Sequence, residues 1–295
     1  MIKLKDILFE SEVPDIFVPR RTDDRTVRFN QMTQKEVNKI VDEYNKNKGK
    51  KRGYYIDSLF LSGKDEDDEG DYSNLTLSGD FEIPNTLKEV RESLFLNNSN
   101  VTKLPDNLTI KSILSVSNCR KLKALPRGLS ANNIDGMESG IIDIPDDLQC
   151  AFLNLSFTKI KQLPLFKNYI LNIDLEYCKY FKTLPVGFTA ANLEIKECSS
   201  FVSIPNNTTL ERLEIAECKK FTSIGNNCSI DELVISYSCD NFTTLPTDIK
   251  VNLLHMIYDS VFKTQLVSKY KTKSKVMAAL KSMYPNIKEI KFFWK

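Results

Sequence analysis

A single histidine, His255, is all the imidazole this chain contains. A Ser-His-Asp arrangement would have to be built around it or not exist. His255 falls between Leu254 and Met256, where the alternation makes it the outward residue of a short strand, so a catalytic role is not expected. No GxxxxGK loop followed by Ser or Thr is present to cradle phosphates. No run of eighteen apolar residues exists that could cross a membrane as a helix. The first residues, MIKLKDILFE, lack the apolar centre and small-residue cleavage site of a secretory signal. None of the seven cysteines forms a CxxC pair, and their odd number without an export signal reads as reduced thiols in a cytosol-like compartment. A net charge of +2 excludes a polyelectrolyte, and 41% apolar with 27% charged residues fits a globular chain. No cofactor and no metal are expected.

What the sequence does have is a repeat. The stretches LEIKECSSFVSIP (193–205) and LEIAECKKFTSIG (213–225) say nearly the same thing. An apolar-proline pair recurs with Pro84, Pro105, Pro126, Pro145, Pro164, Pro185, Pro205 and Pro246, and Gly225 fills the missing place. After each proline comes an apolar-x-apolar pair: Leu94/Leu96, Leu114/Val116, Leu153/Leu155, Ile173/Leu175, Leu193/Ile195, Leu213/Ile215 and Leu233/Ile235. Such alternation marks a short half-buried strand. Three residues on stands a small or polar residue: Ser99, Cys119, Ser139, Thr158, Cys178, Cys198 and Cys218, with Cys239 displaced by one. A second apolar series follows, ending in Phe181, Phe201, Phe221 and Phe242.

One such unit cannot bury its apolar face alone, but stacked units form a parallel sheet over a continuous core. The polar series would line the turn as a ladder that satisfies backbone groups. Its cysteines, at 20-residue intervals, read as structural. A disulfide chain or zinc site fits poorly, because stacked side chains run parallel and do not converge.

The pattern LxLxxCxxFxxLP, alternating with LxLxxTxIxxLP, resembles the leucine-rich-repeat family, most nearly the repeats of bacterial effectors and plant immune receptors. That resemblance implies an α/β leucine-rich-repeat solenoid: a curved parallel β-sheet, a short extended or 3₁₀ convex side, and helical caps. About ten repeats are expected over residues 55–260, after an N-terminal arm and cap helix (11–54) and before a basic C-terminal cap (261–295). TQKEVNKIVDEYNKN (33–47) reads as an amphipathic helix opened by a Thr33/Glu36 capping box. SKVMAALKSMYPN (274–286) reads as a helix stopped by Pro285, and IKEIKFFWK as a final strand. The acidic run KDEDDEGD (64–71) reads as a solvated insertion, since an EF-hand would need Glu where Thr76 stands.

Residues 1–10 resemble the capsid-targeting peptide of internal proteins in T4-type tailed phages, whose prohead protease cuts after Glu in a Leu-x-Glu site. Carried over, Leu8 is the recognition residue and Glu10 the processing position, and the chain would travel in the virion interior before reaching the host cytoplasm. Some repeat effectors carry a ubiquitin-ligase domain with a Cys-x-Asp nucleophile motif. Here Cys239 and Asp240 are adjacent, and too few residues follow for that domain.

The outward positions carry the functional expectation. The x of successive strand pairs reads Thr76, Phe95, Ser115, Asp135, Asn154, Asp174, Glu194 and Glu214, and the next outward column is taken as Glu138, Glu176, Glu197 and Glu217. The concave face is therefore expected to be acidic over residues 135–217 and to dock a protein with a basic surface. Solvated strand faces are also simply charged, and that reading stands beside it. Residues 263–295 hold nine lysines and one acid, Glu289, with interleaved aromatics. That tail reads first as a solvated cap helix and second as a contact for nucleic acid or an anionic surface. The functional expectation is a protein-interaction module, phage-encoded and virion-borne. The alternatives are a bacterial effector or cytosolic scaffold without a virion link, and an enzyme of hydrolase or ubiquitin-ligase type with an unrecognised site.

Overall fold

A computed structural model describes residues 33–47, 59–60, 80–236, 238–256 and 261–292. The decapeptide with Leu8 and Glu10, the acidic run 64–71 and Thr76 lie outside these residues. The chain winds into a parallel β-solenoid of about nine turns. Its main sheet has twelve strands, from Leu59–Phe60 through Lys250–Met256 to Ile287–Phe292, and neighbours in the stack are parallel. The register advances by one repeat per coil. Leu193 pairs with Ile173 on one side and Leu213 on the other, and Glu194 lies between Asp174 and Glu214.

The side opposite the main sheet is extended. Ser203–Ile204 pairs with Ser223–Ile224, Phe81–Glu82 pairs with Val101–Lys103, and single bridges such as Thr183 to Ser203 continue the row. No 3₁₀ helix occurs among the described residues, because a coil of about twenty residues leaves only a few for the return path.

Between the two sides lies one continuous core. Both members of each apolar pair are buried, as is the aromatic series behind the ladder. Phe181, Phe201, Phe221 and Phe242 stack ring on ring at 5.6, 5.5 and 5.0 Å, within 14° of parallel. Phe262 closes this spine edge-on against Phe242 at 5.7 Å. Offset stacking of this kind adds about 0.5–1.5 kcal/mol per pair beyond the burial itself.

Helices lie at either end of the described chain. Helix α1, Gln34–Asn47, begins at the expected capping box: Thr33 N–H donates to Glu36 Oε2 (2.6 Å) and Glu36 N–H to Thr33 Oγ1 (3.3 Å). It buries Val37, Ile40 and Val41 in the core, and Gln34 exchanges two hydrogen bonds with the Glu82 backbone. Helices α2, Val261–Tyr270, and α3, Lys273–Met283, precede the last strand. Val276 and Leu280 are buried, with Met277 and Met283 packed against the same core. Tyr284 accepts the Leu245 N–H at 3.3 Å. Thus the lysine-rich segment is threaded by elements that belong to the fold. No helix among the described residues is long and apolar enough to cross a membrane.

Candidate functional site

Two sharp turns shape each coil, and both explain residues that look functional in the sequence. At the first turn the ladder residue points inward. Cys119 Sγ donates to Leu96 O (2.9 Å), Cys178 to Leu155 O (3.1 Å), Cys198 to Leu175 O (3.3 Å) and Cys218 to Ile195 O (3.6 Å), each reaching back to the preceding coil. Cys239 does the same to Ile215 O at 3.9 Å. Thr158 Oγ1 donates within its own turn to Leu155 O, and Ser99 and Ser139 accept the backbone N–H two residues on. Burial pushes three of these thiols up, Cys119 and Cys239 to about 11 and Cys218 to about 12, whereas the hydrogen bond with Cys198 lowers Cys178. The three raised thiols stay protonated at neutral pH. Among the described residues no group of three His, Cys, Asp or Glu side chains is placed to hold a metal ion.

A second ladder runs along the return turn. Asn168 Nδ2 donates to Asp147 O and Leu148 O, Thr208 Oγ1 to Pro205 O (2.9 Å) and Cys228 Sγ to Pro205 O (3.3 Å). The sequence hides it because three different residue types share one task.

The outward face of the main sheet carries the acids. Asp135, Asn154, Asp174, Glu194 and Glu214 form one column across neighbouring strands. The second acidic column expected from spacing is in fact two. Glu176 continues the strand and pairs in register with Lys196. Glu138, Glu197 and Glu217 instead occupy the turn just before the ladder, with φ between 51° and 56°. Asn98, Asn118, Phe157 and Tyr177 take the same left-handed conformation in their coils.

These acids differ in what they already hold. Arg212, on the same face, reaches Glu214 at 2.6 Å, Glu194 at 3.2 Å and Glu232 at 3.7 Å. Lys196 reaches Glu194 at 2.7 Å and Glu214 at 3.1 Å. Burial works to raise the Glu214 carboxyl, but hydrogen bonds from Arg212 and Lys196 hold it below the ordinary range. His255, half-buried in its strand, stands 3.6 Å from Glu232 Oε1. Asp135 accepts from Ser117 Oγ (2.5 Å), Asn154 Nδ2 (3.2 Å) and Met137 N–H (3.3 Å). Glu197 binds the Tyr177 hydroxyl, which lifts that phenol to about 12. Asp174 and Glu176 are exposed and make no ion pair among the described residues. Partial desolvation, then the charge of Glu194, push the Asp174 carboxyl above its ordinary value.

The same coils expose apolar side chains that alternation did not single out. Met137 and Phe157 are 37% and 43% exposed, and Phe157 stacks on Tyr177 with ring centres 4.7 Å apart. Phe152 and Leu171 are exposed near the opposite end of the strands. Scattered apolar residues are ordinary on a surface, but adjacent ones on one face commonly mark a contact site. Met137 also lines a depression of about 190 Å³, together with Asn154, Ser156, Asp174, Glu176, Glu194 and Lys196.

No family model matches this chain, and neither a curated protein nor a solved structure shows significant similarity to it.

Proposed function

We propose that this protein is an interaction module of the leucine-rich-repeat type that binds a protein partner with a basic surface on the outward face of its main sheet. The observation that carries this reading is the pairing, on the coils of residues 135–180, of uncompensated carboxylates with exposed aromatic and methionine side chains. The C-terminal half of the acidic face contributes less, because Lys196 and Arg212 already neutralise Glu194 and Glu214. Aromatic anchors ringed by charge suit protein recognition. Phe157 and Tyr177 are also bulky residues in left-handed backbone, where Asn stands in earlier coils. Side chains kept at a conformational cost are a mark of sites under functional demand.

The test is site-specific photo-crosslinking in the full chain, within cells that hold the partner. A benzophenone amino acid at Phe157 is expected to capture a discrete adduct, and the same group at Val202, exposed on the return side, none. Adducts from Val202 alone would move the docking surface to the other side. Carriage within a phage particle is supported only by the resemblance of residues 1–10. Recovered protein that begins at Ser11 would support it, and protein that begins at Met1 would remove it.

A further inference from the structure

We propose that the depression beside Asp174 and Glu176 receives an arginine side chain of the partner protein. This rests on the docking reading above and narrows it to one residue and one place.

The molecule itself shows how its outward face takes a guanidinium. Arg212 hydrogen-bonds Glu194 and Glu214 and pairs with Glu232 at 3.7 Å, three carboxylates from three successive strands. Two coils earlier the register puts Asn154, Asp174 and Asn192 in the places of Glu194, Glu214 and Glu232, so one acid of the three is kept, and Glu176 adds a second two residues on. In Arg212's own column, however, those coils carry Asn172 and Asn192, which bond to each other at 2.6 Å and bring no charge. The acidic lattice thus continues beyond the cation that serves it. Lys196 lines the depression, but its ammonium is engaged by Glu194 and Glu214, so the two free carboxylates outnumber the charge left for them.

The surroundings favour arginine over lysine. Met137 supplies an apolar wall, and the stacked Phe157–Tyr177 pair follows directly along the chain from the lining residues Ser156 and Glu176. A guanidinium is planar, weakly hydrated and stacks on aromatic faces while its edge bonds carboxylates; an ammonium is a strongly hydrated point charge. Asn154 and Ser156 also line it; Asn154 Oδ1 accepts the Ser156 N–H and Ser156 Oγ the Glu176 N–H, and each oxygen keeps a second lone pair.

The experiment uses the full chain and two probes, an oligo-arginine peptide and an oligo-lysine peptide of equal length, titrated at low salt. Oligo-arginine is expected to bind more tightly than oligo-lysine, and Asp174→Asn/Glu176→Gln to weaken it by about tenfold. A control with the same loss of charge on the return side of the coils, Asp106→Asn/Asp143→Asn, is expected to leave it within about twofold. Equal weakening by both pairs would mean bulk charge alone, and would overturn this site while leaving a docking face in place. Equal affinity for the two peptides would overturn the assignment to arginine. Failure of the unmodified chain to bind either peptide would overturn both this site and the basic partner. As an internal check, Arg212→Gln is expected to tighten oligo-arginine binding, since it removes one positive charge from the same lattice and leaves Glu194 and Glu214 to Lys196 alone.

Discussion

At the residue scale, the cysteines show how a reactive group becomes a structural one. Spacings of 20, 20 and 21 residues from Cys178 to Cys239, and of 59 over three coils back to Cys119, align these five on one ladder, because like residues at like register positions stack. The same logic could not find Asn168, Thr208 and Cys228, whose common feature is a hydrogen-bonding role and not a chemical type. The buried thiols also carry a pH signature. In an unfolded chain a thiol ionises at ~8.5, well below the value of about 12 for Cys218 in the fold. The unfolded state therefore loses its proton first. The stability that Cys218 contributes is fully present below about pH 8.5 and is lost as pH rises from there toward 12. Replacing Cys218 with Ser, a residue already used on the ladder at positions 99 and 139, removes one such group. Its stability should decline less steeply, by about 1.4 kcal/mol per pH unit between roughly pH 9.5 and 11. Urea midpoints of the two proteins across that range measure the difference, and parallel curves would show that the thiol ionises as freely folded as unfolded.

At the element scale, the left-handed turn decides which acids can act together. Counting along the chain put Glu138, Glu176, Glu197 and Glu217 in one column. The count failed because Glu176 lies on the strand itself, while the other three sit where φ changes sign and the side chain is redirected. Spacing carries no record of that sign. Asn98 and Asn118 did signal it, since Asn tolerates left-handed backbone, and Asn118 Nδ2 bonds Asn98 Oδ1 at 2.7 Å. The return turn signals it too, through Asn107, Gly128, Gly187, Asn207 and Asn227. Glu217 is thus an ordinary residue in a position that disfavours it, and it is exposed. Glu217→Asn should stabilise the protein by about 0.5–1 kcal/mol, read as a higher melting temperature. The converse change, Asn118→Val, puts a branched side chain into left-handed backbone and loses the Asn ladder, at a cost of about 1–2 kcal/mol. If neither changes the melting temperature, the turn relaxes freely and the bulky Phe157 and Tyr177 stand there without strain.

At the scale of the whole molecule, period and alternation made the solenoid legible, because both are properties of one coil repeated. What the period could not reveal was how charge is shared between coils and how the stack ends. The acidic face looked uniform in sequence, yet two cations, Lys196 and Arg212, divide it into a self-paired half and an open half. The helix read over 274–286 and the strand after it stand there as α3 and the last strand, but α2 was not legible, because its apolar residues gather on no single face. Phe262 covers the end of the phenylalanine spine, Tyr284 holds Leu245, and Ile287–Phe292 occupies the edge of Lys250–Met256. In a stack where each coil contacts only its neighbours, the terminal units protect everything behind them. A chain ended at Ser260 would leave Phe242 and Leu254 open to water, together with the unpaired edge of the Lys250–Met256 strand. An open parallel edge beside an exposed apolar core is a template for a second chain. The shortened protein should therefore melt at a lower temperature and self-associate, both visible by light scattering on a sizing column at several concentrations. A monomer of unchanged stability would mean that the last elements are additions to a stack already complete, and that the lysines they carry are free to serve another purpose.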